Sequence, residues 1–154
     1  MKPIPSRFFY KLMIVPVLIF MFGQCSSVKS TSQNKTVNGE WQQLFDGKDL
    51  NGWTAKVNHY DVGENFGNTF RVEDGIIKVR YDEYKGDFND RFSHLYYDKP
   101  FSYYHLAVEY RFVGKQYPSA PSYTIENSGV MVHSQDPRTM LKDQNWPISV
   151  ELQL

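Results

Sequence analysis

The sequence from 127 to 154, NSGVMVHSQDPRTMLKDQNWPISVELQL, contains two short runs in which apolar and polar side chains alternate. The run Ile148–Leu154 alternates strictly, and Glu151 and Gln153 fall between its apolar residues. A period of two with β-branched residues predicts a half-buried strand. One face of this strand is therefore expected on a core, and the other carries a carboxylate beside an amide.

The run Ser128–His133 predicts a second strand, and its alternation allows His133 to share the polar face of Glu151 and Gln153. A sheet face with these three polar groups suits a sugar-like ligand. An ordinary solvated sheet face would show the same alternation, so both interpretations stay open on parity alone. The opposite, apolar set is expected to be buried beneath this face: Ile148, Val150 and Leu152.

The stretch Tyr103–Val113, YYHLAVEYRFV, has the longest strand pattern in the chain. Its apolar residues alternate with a second set that includes Glu109 and Arg111, which therefore lie on one face. We expect five polar side chains from three strands to converge on one concave face: Glu109, Arg111, His133, Glu151 and Gln153.

Further strand patterns occur at Thr69–Val72 and Ile76–Arg80, joined by a turn at Asp74-Gly75 that predicts a hairpin, and again at Ser93–Tyr97. Residues 81–91 are charged, aromatic and irregular, and Tyr84 in this loop is predicted to line a binding cleft. The only helical pattern after the amino terminus is one short turn near residues 138–142. The chain is thus predicted to be all-β, with antiparallel strands.

Composition sets the class of protein. The chain has 154 residues, enough for one domain, and 16% of them are aromatic, which suits both an all-β fold and carbohydrate binding. There are 17 basic and 17 acidic residues, and no basic patch stands out. No nucleic-acid partner is therefore expected.

The amino terminus reads as a targeting segment. Basic residues precede an apolar run at 12–22, which is too short to span a bilayer, and the sole cysteine, Cys25, follows at once. This pattern resembles a bacterial lipoprotein signal over residues 1–25 with Cys25 lipidated, and 26–39 resemble a flexible tether. We expect a domain anchored by lipid to the cell envelope, in the periplasm or outer membrane. A plain secretory signal with a free thiol is the alternative.

Three sequence blocks together resemble one family. They are LFDGKDLNGW at 44–53, NSGVMVHSQDP at 127–137 and WPISVELQL at 146–154, and they are similar to the 3-keto-disaccharide hydrolase domain family. The resemblance runs from about residue 40 to the end of the chain. It implies a concanavalin A-like antiparallel jelly-roll sandwich. It also implies further strands beyond Leu154, so residues 40–154 are expected to hold the amino-terminal part of the domain.

The resemblance implies a hydrolase that acts on 3-keto-disaccharides or related oxidised sugars. A ketone at C3 acidifies the C2 proton, so a general base can start an elimination that hydration completes. His133 or Glu151 is then the expected base, and Arg111 stabilises the enolate. The residues predicted to bind substrate are Glu109, Gln153, Asn127, Tyr84 and Trp146.

Three alternatives accompany this interpretation. Two carboxylates across a groove would also suit ordinary glycoside hydrolysis. A divalent cation held by His133, Glu151 and Asp136 would polarise the ketone, but no HxH or HExxH spacing is present, and we expect neither metal nor cofactor. A lectin-like module would bind carbohydrate through aromatic side chains without turnover.

Overall fold

The computed structural model describes residues 40–154. The predicted signal segment, Cys25 and the tether lie outside the described residues. Within the described part, no helix has the length and apolar character needed to cross a membrane.

Residues 40–154 contain six strands: β1 Trp53–Val57, β2 Phe70–Glu73, β3 Ile76–Val79, β4 Ser93–Tyr97, β5 Gly129–Val132 and β6 Val150–Gln153. They form three antiparallel sheets of two strands each, β1 with β4, β2 with β3 and β5 with β6. Short 3₁₀ turns lie at Phe66–Asn68, Ser122–Thr124 and Pro137–Thr139. These sheets confirm the all-β, antiparallel class, and the jelly-roll sandwich stays a prediction.

The hairpin of β2 and β3 forms at the predicted turn. Asp74 and Gly75 both have positive φ, 55° and 74°, which matches the right-handed twist of the two strands. Glu73, at the end of β2, forms ion pairs with Lys78 and Arg80. The turn and both strands therefore follow from local sequence.

The pairing of β5 with β6 confirms the predicted alternation. Met131 lies opposite Glu151, and Gly129 lies opposite Gln153, so these four residues share one face. Val130 opposes Leu152 on the other face. Both strands are shorter than the alternating runs in the sequence. Their register nevertheless places the polar residues on one face and the apolar residues on the other, as predicted.

The predicted burial of Ile148, Val150 and Leu152 is wrong, because their side chains are 78%, 61% and 65% exposed. An apolar sheet face is buried only where a second layer covers it. In the described chain, Leu106 and Val108 lie over part of this face. They enclose a shallow apolar cavity of about 240 Å³ with side chains of β5 and β6.

The prediction of a long strand at Tyr103–Val113 is also wrong. The segment has no regular structure, and its side chains are exposed throughout. A strand needs a neighbouring backbone to satisfy its N–H and C=O groups. Between residues 40 and 154, no backbone hydrogen bond joins this segment to another strand. The alternation of apolar residues is real, but the pairing that would make a strand is not formed.

The core lies around β1, β2 and the loop that follows β3. Its buried apolar side chains are Ala55, Val57, Phe70, Tyr84, Phe88 and Met140. Aromatic rings of this loop pack edge to face, both against one another, as in the pair Phe88–Phe92, and against Phe66 of the first 3₁₀ turn, which contacts Tyr84. Loop residues, rather than strand residues, therefore supply much of the core.

A buried arginine anchors this aromatic core. Arg91 is 8% exposed, and its guanidinium carbon lies 5.0 Å from the ring centroid of Phe66 and 4.9 Å from that of Tyr84. Its Nη2 donates to the carbonyl of Asp87, whereas its buried Nε has no partner in the described residues. Gly67, at φ 57°, admits the Tyr84 ring, because a Cβ there would lie 2.7 Å from Tyr84 Cδ1.

We expect Arg91→Lys to lower the free energy of unfolding by about 2 kcal/mol, because an ammonium cannot stack as a planar group between two rings. Chemical denaturation measures this loss. The matched change Arg111→Lys, at an exposed position, should alter stability by less than about 0.5 kcal/mol. Equal stability of the two variants would show that the Arg91 stacking contributes nothing.

Candidate functional site

The face of the β1–β4 sheet that carries Lys56 and His94 is polar. These two residues oppose one another in the register, and alternation places Tyr96 on the same face. The segment that precedes β6 covers this face. The hydroxyl of Tyr96 lies 3.2 Å from Met140 Sδ, and His94 Nε2 lies 2.7 Å from the carbonyl oxygen of Asn145.

Lys56 is a buried cation whose hydrogen bonds are all internal. Its side chain is only 1% exposed, and its ammonium donates to the carbonyls of Val57, Tyr60 and Lys142 at 3.0, 3.2 and 2.9 Å. Burial lowers the pKa of Lys56, against the opposing charges of Asp143 and other neighbours. Because an ammonium has three hydrogens, none is left for a ligand. Lys56 therefore holds loops together.

His94 is neutral near pH 7 and has one basic nitrogen to offer. Burial lowers its pKa, and the charge of Lys56 adds to the effect, while the hydrogen bond to Asn145 and the charge of Glu151 oppose it. The carbonyl of Asn145 can only accept, so Nε2 carries the hydrogen. Nδ1 is then the nitrogen with a free lone pair.

Hydrogen bonds connect His94 to a second histidine. The side-chain oxygen of Asn145 accepts from Asn58 Nδ2, which lies 3.1 Å from His59 Nε2. His59 Nδ1 lies 2.7 Å from Asp143 Oδ1. The Asp143 carboxylate can only accept, so His59 donates from Nδ1, and its Nε2 faces the Asn58 amide. The two hydrogens of that amide are shared among His59, Asn145 and the carbonyl of Asp90. The result is a polar network from Asp143 to His94.

Glu151 lies on the polar face of β6, and its side chain crosses over Gly129. A Cβ at Gly129 would lie 2.1 Å from Glu151 Oε1 and 2.7 Å from Cγ, so a side chain there would displace the carboxylate. Between residues 40 and 154, no hydrogen bond or ion pair engages this carboxylate. Its negative charge opposes the lowering of the His94 pKa, as the smallest of the contributions named above.

Other predicted residues lie beside Glu151. Gln153 Nε2 donates to Asn127 Oδ1 at 2.8 Å and to the Ser128 carbonyl at 2.7 Å. Trp146 follows Asn145 and is 47% exposed, with its ring centroid 4.7 Å from that of Phe92. The structure thus brings Glu151, Gln153 and Asn127 together and leaves Trp146 accessible to a ligand.

The remaining predicted residues lie elsewhere. His133 is exposed in a turn after β5, and its φ of 51° ends the strand alternation there. Glu109 and Arg111 are exposed in the unpaired segment, and neither contacts Glu151 through a hydrogen bond or ion pair in the described chain. Tyr84 is buried in the aromatic core. The predicted convergence of these side chains with Glu151 does not occur in the structure.

No group of three possible metal ligands occurs among residues 40–154. Asp136, the predicted third ligand, is held by Arg138, whose hydrogen bonds lower the pKa of that carboxyl to about 2. Its oxygens also cap the short 3₁₀ turn at Pro137–Thr139. Asp136 is therefore committed to its own loop.

Sequence reasoning missed all five residues of this network: His94, Asn58, His59, Asp143 and Asn145. The alternation of Ser93–Tyr97 would have placed His94 and Leu95 on opposite faces of the strand. Nothing local would have paired His94 with Asn145, because the two are 51 positions apart.

Comparison with known families gives one match. The family model described as 3-keto-alpha-glucoside-1,2-lyase-like domain matches residues 40–154, a span that includes every residue of the polar network and Glu151. No curated protein and no solved structure matches the chain.

We expect His94 to make stability depend on pH. Its folded pKa lies below the unfolded value of about 6.5, so the folded state binds fewer protons and stability falls as pH drops through this range. His94→Gln keeps an N–H donor for Asn145 and should remove this contribution. The difference between the urea unfolding midpoints at about pH 8 and about pH 5 measures this pH-dependent contribution.

The control for this prediction is His133→Gln, at an exposed histidine, which should keep the wild-type difference between the two midpoints. If His94→Gln keeps that difference as well, His94 is not a buried neutral histidine.

Proposed function

The chain belongs to the family of 3-keto-alpha-glucoside-1,2-lyase-like domains, and we propose that it cleaves glycosides whose sugar carries a ketone at C3. Family membership supports the substrate class. The observation that carries the chemistry is the carboxylate of Glu151, which lies over Gly129 and is free of hydrogen bonds and ion pairs in the described residues.

The ketone at C3 acidifies the C2 proton, which makes elimination easier than direct hydrolysis of the glycosidic bond. A base takes the C2 proton, and the electron pair of that C–H bond forms an enolate with the C3 carbonyl. The enolate then collapses, the C1–O bond breaks, and the leaving oxygen takes a proton. Water adds across the resulting alkene to complete a net hydrolysis. Such a site needs a base near C2 and a hydrogen-bond donor near the C3 oxygen.

Glu151 is the proposed base. Its carboxylate is exposed to a ligand on the polar face and makes no internal hydrogen bond in the described residues. His94 offers Nδ1 as an acceptor for a sugar hydroxyl, and so orients the ring.

The donor for the C3 oxygen is assigned to Asn145. Its Oδ1 is held by Asn58, which turns the amide so that Nδ2 is left without a partner among residues 40–154. Trp146, the next residue, presents a half-exposed ring on which a sugar can pack. This accessible aromatic side chain also favours the second candidate, a lectin-like module that binds sugar without cleaving it.

The test is release of a chromophoric leaving group from a 3-keto-glucoside by the complete protein. Glu151→Gln keeps the shape and removes the base, so the rate should fall by roughly 10²-fold or more, with the unfolding midpoint unchanged. The matched control Glu64→Gln, in an exposed loop, should retain the wild-type rate. Full activity of Glu151→Gln would overturn the assignment. Sugar binding without any wild-type turnover would favour the lectin-like module.

A second variant tests the packing of Glu151. Gly129→Ala introduces the Cβ that would collide with the Glu151 side chain, and should lower kcat while the protein stays folded. In the Glu151→Gln background, the same change should cause little further loss, because the two residues act through one carboxylate. Additive losses would mean that Gly129 acts independently of Glu151.

A further inference from the structure

A second cavity lies between residues 79–84 and 113–118, and we call it the tyrosine cavity. It has a volume of about 390 Å³. The lining residues that matter here are Arg80, Tyr81, Tyr84, Lys115, Gln116 and Tyr117. Its size falls within the range of about 300–1,000 Å³ that is usual for small-molecule sites.

The three tyrosines form a fixed aromatic wall. The ring of Tyr81 lies 5.3 Å from that of Tyr84 and 6.4 Å from that of Tyr117, and all contacts are edge to face. The hydroxyl of Tyr84 bonds Thr69 at 2.7 Å, and that of Tyr117 donates to the Gly86 carbonyl at 2.6 Å. Tyr84 is buried, so the partly exposed rings of Tyr81 and Tyr117 are the ones that a ligand can contact.

Two polar side chains that line the cavity, Lys115 and Gln116, have hydrogen-bonding capacity left for a ligand. Gln116 donates through Nε2 to the carbonyl of Pro121 and to Thr124, which leaves Oε1 as an acceptor. Lys115 is exposed and makes no hydrogen bond or ion pair in the described part of the chain. An aromatic wall with one free cation and one free amide oxygen suits a ligand with an apolar ring face and hydroxyl groups at its edge.

The tyrosine cavity is separate from the face that carries Glu151. None of the residues that line the cavity belongs to the His94 network, and neither Glu151 nor Trp146 lines it.

We propose that the tyrosine cavity is a second carbohydrate site, which binds a hexose ring of a neutral oligosaccharide without cleaving it. The ring packs on Tyr117 and its neighbours, and its hydroxyls bond Lys115 and Gln116. The one carboxylate in the lining, Asp82, forms an ion pair with Arg71 at 2.7 Å. The hydrogen bond from Arg71 lowers the pKa of Asp82, which makes it a weak base. The proposal does not depend on turnover at Glu151.

The experiment titrates the complete Glu151→Gln protein with maltose, which lacks the ketone, and follows backbone amide NMR signals. Maltose should shift the signals of residues 79–84 and 113–118. Tyr117→Ala should weaken this binding by about tenfold, in line with the loss of one aromatic platform. Tyr117→Phe keeps the ring and should retain it. The matched control Tyr103→Ala, at a tyrosine that is 99% exposed, should bind as the parent does.

Lys115→Leu gives a second test at an exposed position, where folding is not at risk, and should also weaken maltose binding. On the wild-type background, Tyr117→Ala should leave 3-keto-glucoside turnover unchanged, which separates this site from the reaction at Glu151. The proposal is overturned if maltose shifts no signal of the cavity. It is also overturned if both Tyr117→Ala and Lys115→Leu bind as tightly as the parent.

Discussion

The buried ammonium of Lys56 is the interaction on which the candidate site depends. A buried charge is stable only if every one of its hydrogens finds a partner. Three backbone carbonyls, from Val57, Tyr60 and Lys142, meet this requirement. In doing so they join the turn after β1 to the loop before β6. The same two loops carry Asn58, His59, Asp143 and Asn145, so satisfying one buried cation also aligns the polar network.

The hydrogen bond from the network and the charge of Glu151 both favour the protonated form of His94, against burial and Lys56. Burial and Lys56 keep the imidazole neutral, and the backbone carbonyl of Asn145 fixes which nitrogen is basic. The Glu151 side chain can lie across the neighbouring strand because Gly129 has no side chain there. The arrangement gives a carboxylate and a neutral imidazole different roles, as acid–base chemistry on one sugar ring requires.

Local sequence was enough to predict what depends on alternation or on a turn. It predicted the hairpin at Asp74-Gly75, the strands β4, β5 and β6, and the shared face of Glu151 and Gln153. It did not predict pairing between distant segments. The pattern of Tyr103–Val113 is that of a strand, yet the described chain offers it no partner backbone. His59 and Asp143 are 84 positions apart, and no periodicity links them. The family resemblance pointed to the domain that the family model matches, but neither it nor the strand alternation pointed to His94.

We propose that Glu151 and His94 form one electrostatic site, and NMR titration of the His94 ring in the complete protein and in Glu151→Gln tests this proposal. A nearby negative charge favours the protonated imidazole, so Glu151→Gln should lower the pKa of His94 further, whereas Glu64→Gln should leave it unchanged. If the pKa of His94 is the same with and without the Glu151 carboxylate, the two residues do not form one site.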